Sequence, residues 1–210
     1  MHRDVFPEWC EPTTDLTQVG DRHIDVWRFC LADPGTAADT APDGRARARQ
    51  MMLSVLGRYL RRPSNTLQFA TLPGGKPQLD MPGRRVEFNL SHSRDMALLA
   101  ISPRFAVGVD VETHRAIDDP LRLARRALSE QDVAQLTAMP DADRTACFLQ
   151  LWTRMEARQK AVGRGIFSHP VDPYDLTSFS FRPGHGHFAA LSISSLSGTP
   201  QLRFFDYDGS

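Results

Sequence analysis

"VGVDVE" (Val107–Glu112) alternates as a β-strand does. Successive strand side chains point to opposite faces, so Val107, Val109 and Val111 share one side and Gly108, Asp110 and Glu112 the other. The valine side calls for a core. The other side sets two carboxylates beside a residue with no side chain, and their mutual repulsion adds to the cost of burying them. Two readings follow: a strand end with solvated acids, or a site where a hard cation offsets the repulsion. Mg2+ typically takes two or three carboxylates from a protein and keeps positions for water or phosphate oxygens.

Upstream, "RHIDVWRFCL" (22–31) is β-branched and aromatic, the composition of a strand. A Pro/Gly-bearing loop (32–44) leads to a basic helix over 45–62, with Met52, Val55, Leu56 and Tyr59 on one face. A short strand is expected at 66–71, a turn-rich connection at 72–84, and a hairpin from 85–93 and 95–102, with Val86, Phe88 and Leu90 inward. Downstream come a loop, a helix around 121–127 and a second helix capped by Ser129, with Asp132 three residues on. The segment 141–165 is the strongest helical stretch, with an apolar stripe of Phe148, Leu151, Trp152 and Met155 and Gly163 as terminator. Three β segments close the chain. Each half contains strands and at least one long helix, an α+β order, with a domain seam expected near residue 103.

Lys plus Arg equals Asp plus Glu, 25 each, so no general field draws the chain to nucleic acid or anionic membrane, and phosphate binding must use a local cluster of cations. No stretch approaches the ~20 apolar residues of a membrane span, and the N-terminal residues lack the apolar segment of a signal peptide. Cys10, Cys30 and Cys147 are widely spaced, which indicates reduced packing residues in a cytoplasmic protein.

Trp152, Glu156 and Lys160 are spaced by four, advancing only about 40° per step round a helix. Glu156 therefore lies beside the apolar stripe, positioned as a third carboxylate near Asp110 and Glu112, with Lys160 one turn beyond. A metal with an ammonium beside it suits a diphosphate, although an i, i+4 Glu–Lys pair is most often a solvated bridge. "GGKP" (74–77) is a turn whose backbone can approach a ligand closely. In "FNLSHS" (88–93), Ser91 and His92 face opposite sides, which suits phosphate or ribose contacts better than a nucleophile pair.

Taken in order, "GGKPQL" (74–79), "FNLSHS" (88–93), "VGVDVE" (107–112) and "LWTRMEARQKAVGRG" (151–165) resemble the 4′-phosphopantetheinyl transferases, in particular the longer, pseudo-dimeric class. The resemblance implies an α+β fold of two similar α/β subdomains, 1–102 and 103–210, related by a pseudo-twofold axis, each a small, mostly antiparallel sheet with a long helix. It implies coenzyme A in the cleft between them and transfer of its phosphopantetheine arm to a serine of an acyl or peptidyl carrier protein. Adenosine 3′,5′-bisphosphate would be released. It implies Mg2+ held by Asp110, Glu112 and Glu156, with Lys160 on a diphosphate oxygen and Glu156 as base for the carrier serine. Lys76, Pro77, Ser91 and His92 match positions toward the nucleotide end, and Arg49, with Arg45 one turn before it, suits the 3′-phosphate. It also implies a monomer, with the carrier docking near Ala116–Leu128, where Leu121, Leu123 and Leu128 are apolar.

The chain departs from the family pattern at Met155, where a lysine often precedes the helical glutamate, and at Arg158–Gln159, usually more apolar. "RARAR" (45–49) reads equally as phosphate ligands or as a solvated helix face, and "GHGH" (184–187) as an exposed hairpin turn. Trp27 and Trp152 are expected in the core. Two other functions stay open: a weakened member that only binds coenzyme A or a carrier, and another Mg2+-dependent phosphodiester-cleaving enzyme.

Overall fold

The structure, a computed structural model, describes residues 2–12, 20–31, 44–80, 86–163, 176–194 and 200–207. In the first half the elements are β1 (His2–Asp4), β2 (Trp9–Cys10), β3 (His23–Cys30), α1 (Gly44–Leu60), β4 (Phe69–Thr71), β5 (Pro77–Leu79), β6 (Glu87–Ser93) and β7 (Met96–Ser102). Then follow β8 (Val107–Thr113), α2 (Pro120–Ala127), α3 (Glu130–Thr137), α4 (Asp141–Val162), β9 (Leu176–Phe181), β10 (His187–Ser194) and β11 (Gln201–Asp206). The anticipated loop at 32–44 lies outside the described residues except for Gly44, which opens α1. Residues 81–85 of the expected connection and first hairpin strand, and Arg164–Gly165 of the fourth motif, also lie outside them. The strand expected at 66–71 begins only at Phe69, because Ser64–Thr66 forms a single 3-10 turn.

The alternation of Val107–Glu112 is carried through into layers. Val107, Val109 and Val111 enter a core shared with Leu191 and Ile193 of the same sheet and with Ile24, Val26, Leu98 and Ala100 of the other. The sheets are β1-β9-β10-β8 and β2-β11-β3-β7-β6, packed face to face. Helix α1 covers the outer face of the five-stranded sheet, burying Met52, Val55, Leu56 and Tyr59 against Trp27, Phe29 and Leu99. Helix α4 covers the outer face of the four-stranded sheet. Its Gly163 C-cap has φ 70°, a left-handed conformation that glycine adopts without strain. Ser129 caps α3 as expected, its Oγ accepting from the Asp132 N–H at 3.2 Å.

The centres of both sheets are antiparallel, including the β6–β7 hairpin, but the chain's end strands add in parallel: β1 on β9, and β11 on β3 and β2. The first strand thus joins the later sheet and the last strand the earlier one. Each sheet therefore takes a strand from the far end of the chain.

Three local expectations are corrected. The face of α4 against the sheet is Leu149, Thr153, Ala157 and Ala161, all buried, whereas Trp152 and Met155 are only partly so. Small side chains win that face because the helix backbone comes very close to β8: a Cβ on Gly108 would lie 2.1 Å from the Ala157 carbonyl oxygen and 2.3 Å from the Ala161 nitrogen. Cys10 and Cys30 are exposed rather than packed, and all three cysteines are free thiols. His187 of the "GHGH" turn is buried, with Nε2 3.1 Å from Asp95 Oδ1, so the turn is partly tied down against the β6–β7 hairpin.

Candidate active site

Strand β6 lies beside β8 at the edges of the two sheets, so its polar face is buried too: Glu87, Asn89 and Ser91 are each less than a tenth exposed. Alternation alone reads that face as solvated; the neighbouring strand seals it. Asn89 Oδ1 accepts the Val109 N–H at 2.8 Å, satisfying an edge donor of β8 that has no strand partner on that side. Ser93 Oγ accepts the Thr113 N–H at 3.0 Å.

On the opposite face of β8 from the valines, Gly108 lets α4 close in, and Asp110 meets the helix one residue pair further on. Lys160 Nζ donates to Asp110 Oδ1 at 2.6 Å and to Ser91 Oγ at 3.0 Å, and Ser91 Oγ donates to Asp110 Oδ1 at 2.9 Å. Glu156 Oε2 lies 3.7 Å from the same ammonium, one turn earlier on α4. Glu112 sits at the edge of this group, 3.5 Å from the Ser93 hydroxyl and paired with Arg115. Asp110 is 3% exposed, and burial pushes its carboxyl up to about 7 against the opposing pull of Lys160, with Glu156 adding to the rise. Asp110 and Glu156 share the one Lys160 ammonium, while Glu112 has Arg115. Asp110 Oδ2 is buried without a hydrogen-bond partner among the described residues.

The remaining sequence-chosen residues spread outward. Lys76 is buried, and its ammonium donates to the carbonyls of Val107 (3.0 Å) and Ala161 (3.2 Å), with Glu87 at 3.9 Å. A lysine expected at the nucleotide thus holds the C-terminal turn of α4, where helix carbonyls lack intrahelical donors and cations are favoured. Pro77, His92, Arg45 and Arg49 are exposed on β5, β6 and α1, and the Arg49 guanidinium lies 5.7 Å from the Phe69 ring centroid. A Cβ at Gly44 would be 3.7 Å from the Arg94 carbonyl oxygen, so α1 starts beside the turn that follows His92. The structure therefore gathers Ser91, Asp110, Glu156 and Lys160, with Glu112 adjoining.

A sequence profile of the 4′-phosphopantetheinyl transferase superfamily matches residues 106–206, which include β8 and all of α4. The 4′-phosphopantetheinyl transferase HetI of a Nostoc species is 31% identical over 180 residues, covering 75% of this chain and 76% of HetI. The chain belongs to this superfamily. A Synechocystis protein, slr0495, provisionally named as such a transferase, is 34% identical over 161 residues, 73% of this chain and 65% of its own. The transferase Sfp of Bacillus subtilis is 29% identical over 127 residues, 60% of this chain and 54% of Sfp. The chain thus spans just under two thirds of the Synechocystis protein and about half of Sfp.

Candidate donors for a divalent cation are the orphaned Asp110 oxygen, Glu156 across the shared Lys160 ammonium, and Glu112 two residues on along β8. Among the described residues no three acids or histidines yet converge as a ready metal cluster, since the Lys160 ammonium stands between Asp110 and Glu156. The carboxylates are the hard oxygen donors that a divalent cation takes, and the Lys160 ammonium is tied to Asp110 Oδ1 at 2.6 Å and to Ser91 Oγ at 3.0 Å.

Sequence reasoning overlooked a second buried charge. Asp25, fully buried, receives Arg203 through two bonds of 2.7 Å and the Tyr59 hydroxyl at 2.5 Å, while Trp27 Nε1 donates to that hydroxyl at 2.9 Å. Its signal was present: Asp25 is in phase with Trp27 and Phe29, both core residues of β3.

Proposed function

We propose that the protein transfers the 4′-phosphopantetheine arm of coenzyme A to a serine of an acyl or peptidyl carrier protein. The new bond joins the serine oxygen to the phosphorus bearing pantetheine; the diphosphate bridge breaks, and adenosine 3′,5′-bisphosphate leaves. The observation that carries this reading is the Ser91–Asp110–Lys160–Glu156 cluster with its orphaned carboxylate oxygen. Asp110, Glu112 and Glu156 would hold Mg2+, which supplies positive charge against the diphosphate. Lys160, already within 3.7 Å of both Asp110 and Glu156, donates to a diphosphate oxygen as charge builds on the leaving group. Glu156 takes the serine proton, which a hydroxyl must lose to attack well.

Ser91 and His92 contact the nucleotide end, Pro77 and Lys76 border it, and Arg45 and Arg49 receive the 3′-phosphate. On this reading residues 1–102 form the nucleotide side and 103–210 carry the acids and α4. The chain acts as a monomer of the pseudo-dimeric class, without nucleic acid, in the cytoplasm. No described helix is long and apolar enough to cross a membrane. Leu123, exposed on α2, belongs to the surface that meets the carrier.

Intact-mass spectrometry of an apo carrier protein, incubated with coenzyme A and Mg2+, tests the proposal. The expected result is a gain of one phosphopantetheine arm, abolished by EDTA and by Glu156→Gln. No gain on several unrelated carriers, with coenzyme A still bound, would replace transfer by binding alone and direct attention to Met155.

A further inference from the structure

Main-chain groups on the outer edge of β8 are met by side chains from the first half of the chain. Lys76 Nζ donates to the Val107 carbonyl at 3.0 Å, Asn89 Oδ1 accepts the Val109 N–H at 2.8 Å, and Ser93 Oγ accepts the Thr113 N–H at 3.0 Å. These β8 residues are an even number apart, so their main-chain groups point to the same edge. Strands β6 and β8 belong to different sheets, and side chains here stand in for a backbone ladder.

The contacts ascend together. Asn89 meets Val109, Ser91 meets Asp110 and Ser93 meets Thr113, so the two strands run in the same direction. A two-residue step covers roughly 6.6 Å on any strand. The two serines of "FNLSHS" and the two acids of "VGVDVE" are each two residues apart, and therefore fall in register. Ser91 Oγ lies 2.9 Å from Asp110 Oδ1, and Ser93 Oγ lies 3.5 Å from Glu112 Oε2.

The second serine is built differently from the first. It is bonded to Thr113 twice, since the Thr113 hydroxyl also donates to the Ser93 carbonyl at 3.2 Å. This clasp fixes β8 at the residue directly after Glu112. A hydroxyl that accepts one N–H still has its own proton for the carboxylate. At 3.5 Å that bond is long, so the clasp does more of the positioning than the direct contact. Arg115 pairs with the same Glu112 oxygen, but its side chain is 42% exposed, and an ion pair with so exposed a partner contributes little.

We propose that Ser93 is a positioning residue for Glu112, holding the end of β8 so that this carboxylate is presented to the same cation as Asp110 and Glu156. The inference rests on these three acids acting as the cation ligands of the proposed transfer.

Electron paramagnetic resonance of free Mn2+ measures the metal affinity of the full chain without any turnover. Removing a group that orients a metal ligand typically costs about 10–100-fold in affinity, so Ser93→Ala should weaken Mn2+ about tenfold. Ser93→Thr keeps the hydroxyl and should stay within about twofold of wild type. Glu112→Gln retains Asp110 and Glu156 as ligands, and on that background Ser93→Ala should change the affinity less than about twofold, because both substitutions disable one device. Urea midpoints show that each variant is folded. A serine with only a structural role would lower the midpoint and leave Mn2+ affinity alone, or act equally on both backgrounds. Either result, a Ser93→Thr chain as weak as Ser93→Ala, or a wild type that binds no Mn2+ would overturn the proposal. The expected Mn2+ pattern with no carrier protein modified would uphold it and remove the transfer reaction instead.

Discussion

Gly108→Ala tests how the site is built. Its Cβ would meet three backbone atoms of α4: the Ala157 oxygen at 2.1 Å, the Ala161 nitrogen at 2.3 Å and the Lys160 carbonyl carbon at 2.9 Å. Backbone in the last two turns of a packed helix cannot swing aside as a side-chain tip can. Restoring ordinary contact needs α4 to lift by roughly 1 Å or more. Overpacking of this kind typically costs about 1–3 kcal/mol, and the upper end applies because a helix, not a rotamer, must yield. In urea that corresponds to a midpoint lower by about 1–2 M. The same displacement carries Glu156 and Lys160 away from Asp110, and a shift of about 1 Å in a reacting constellation can cost on the order of 100-fold in rate. Urea unfolding and the rate of carrier modification, measured on the same preparations, provide the assay. An unchanged midpoint would refute the close approach. A lowered midpoint with full activity would refute the claim that the seat of α4 on Gly108 sets the catalytic geometry.

Further expectations rest on other contacts. Lys76→Met leaves the buried Glu87 and two carbonyls without their cation, so about 3 kcal/mol of stability should be lost and kcat should fall; a rise in the KM for coenzyme A alone would mean that the lysine serves the nucleotide instead. Arg203→Ala strands the fully buried Asp25 and should cost about 3–5 kcal/mol in urea unfolding; a loss below about 1 kcal/mol would contradict the buried pair. Asp110 has its carboxyl raised by burial from 3.8 to about 7, so between those values the folded chain keeps a proton that the unfolded chain releases. Its stabilising contribution is therefore complete below about pH 4 and lost as pH rises through about 7. With EDTA present, Asp110→Asn should gain on wild type between pH 5 and pH 8, and an equal difference at both would dispose of the raised pKa.

The valine alternation of β8, the buried face of α1 and the capped ends of α3 and α4 were legible because each depends on a local period or a terminal residue. What was not legible depends on neighbours. The sheet-facing row of α4 reads as weak in sequence, since Thr153, Ala157 and Ala161 are small; they are buried because Gly108 admits the backbone. Glu87, Asn89 and Ser91 look like the wet side of a half-buried strand, and only the approach of β8 makes them interior. The crossing of β1 and β11 between sheets involves pairings some 175 residues apart in register, beyond any window of periodicity. The site residues were legible by type and spacing, but the burial of the Lys76 ammonium was not, because its acceptors are main-chain carbonyls on other elements.

That last point changes what the four motifs mean together. The lysine of "GGKP" holds the end of α4 and the start of β8 through their carbonyls. The asparagine of "FNLSHS" satisfies the edge of β8, and its first serine bonds Asp110 and receives Lys160. The glycine of "VGVDVE" admits α4, which brings Glu156 and Lys160 to Asp110. Each motif thus supplies a group that orients another motif, and none is a self-contained ligand loop. A substitution in the first two motifs should therefore be felt at Asp110 and Lys160 even where it touches no ligand. Coenzyme A affinity alone would miss that effect; turnover measured beside stability would resolve it.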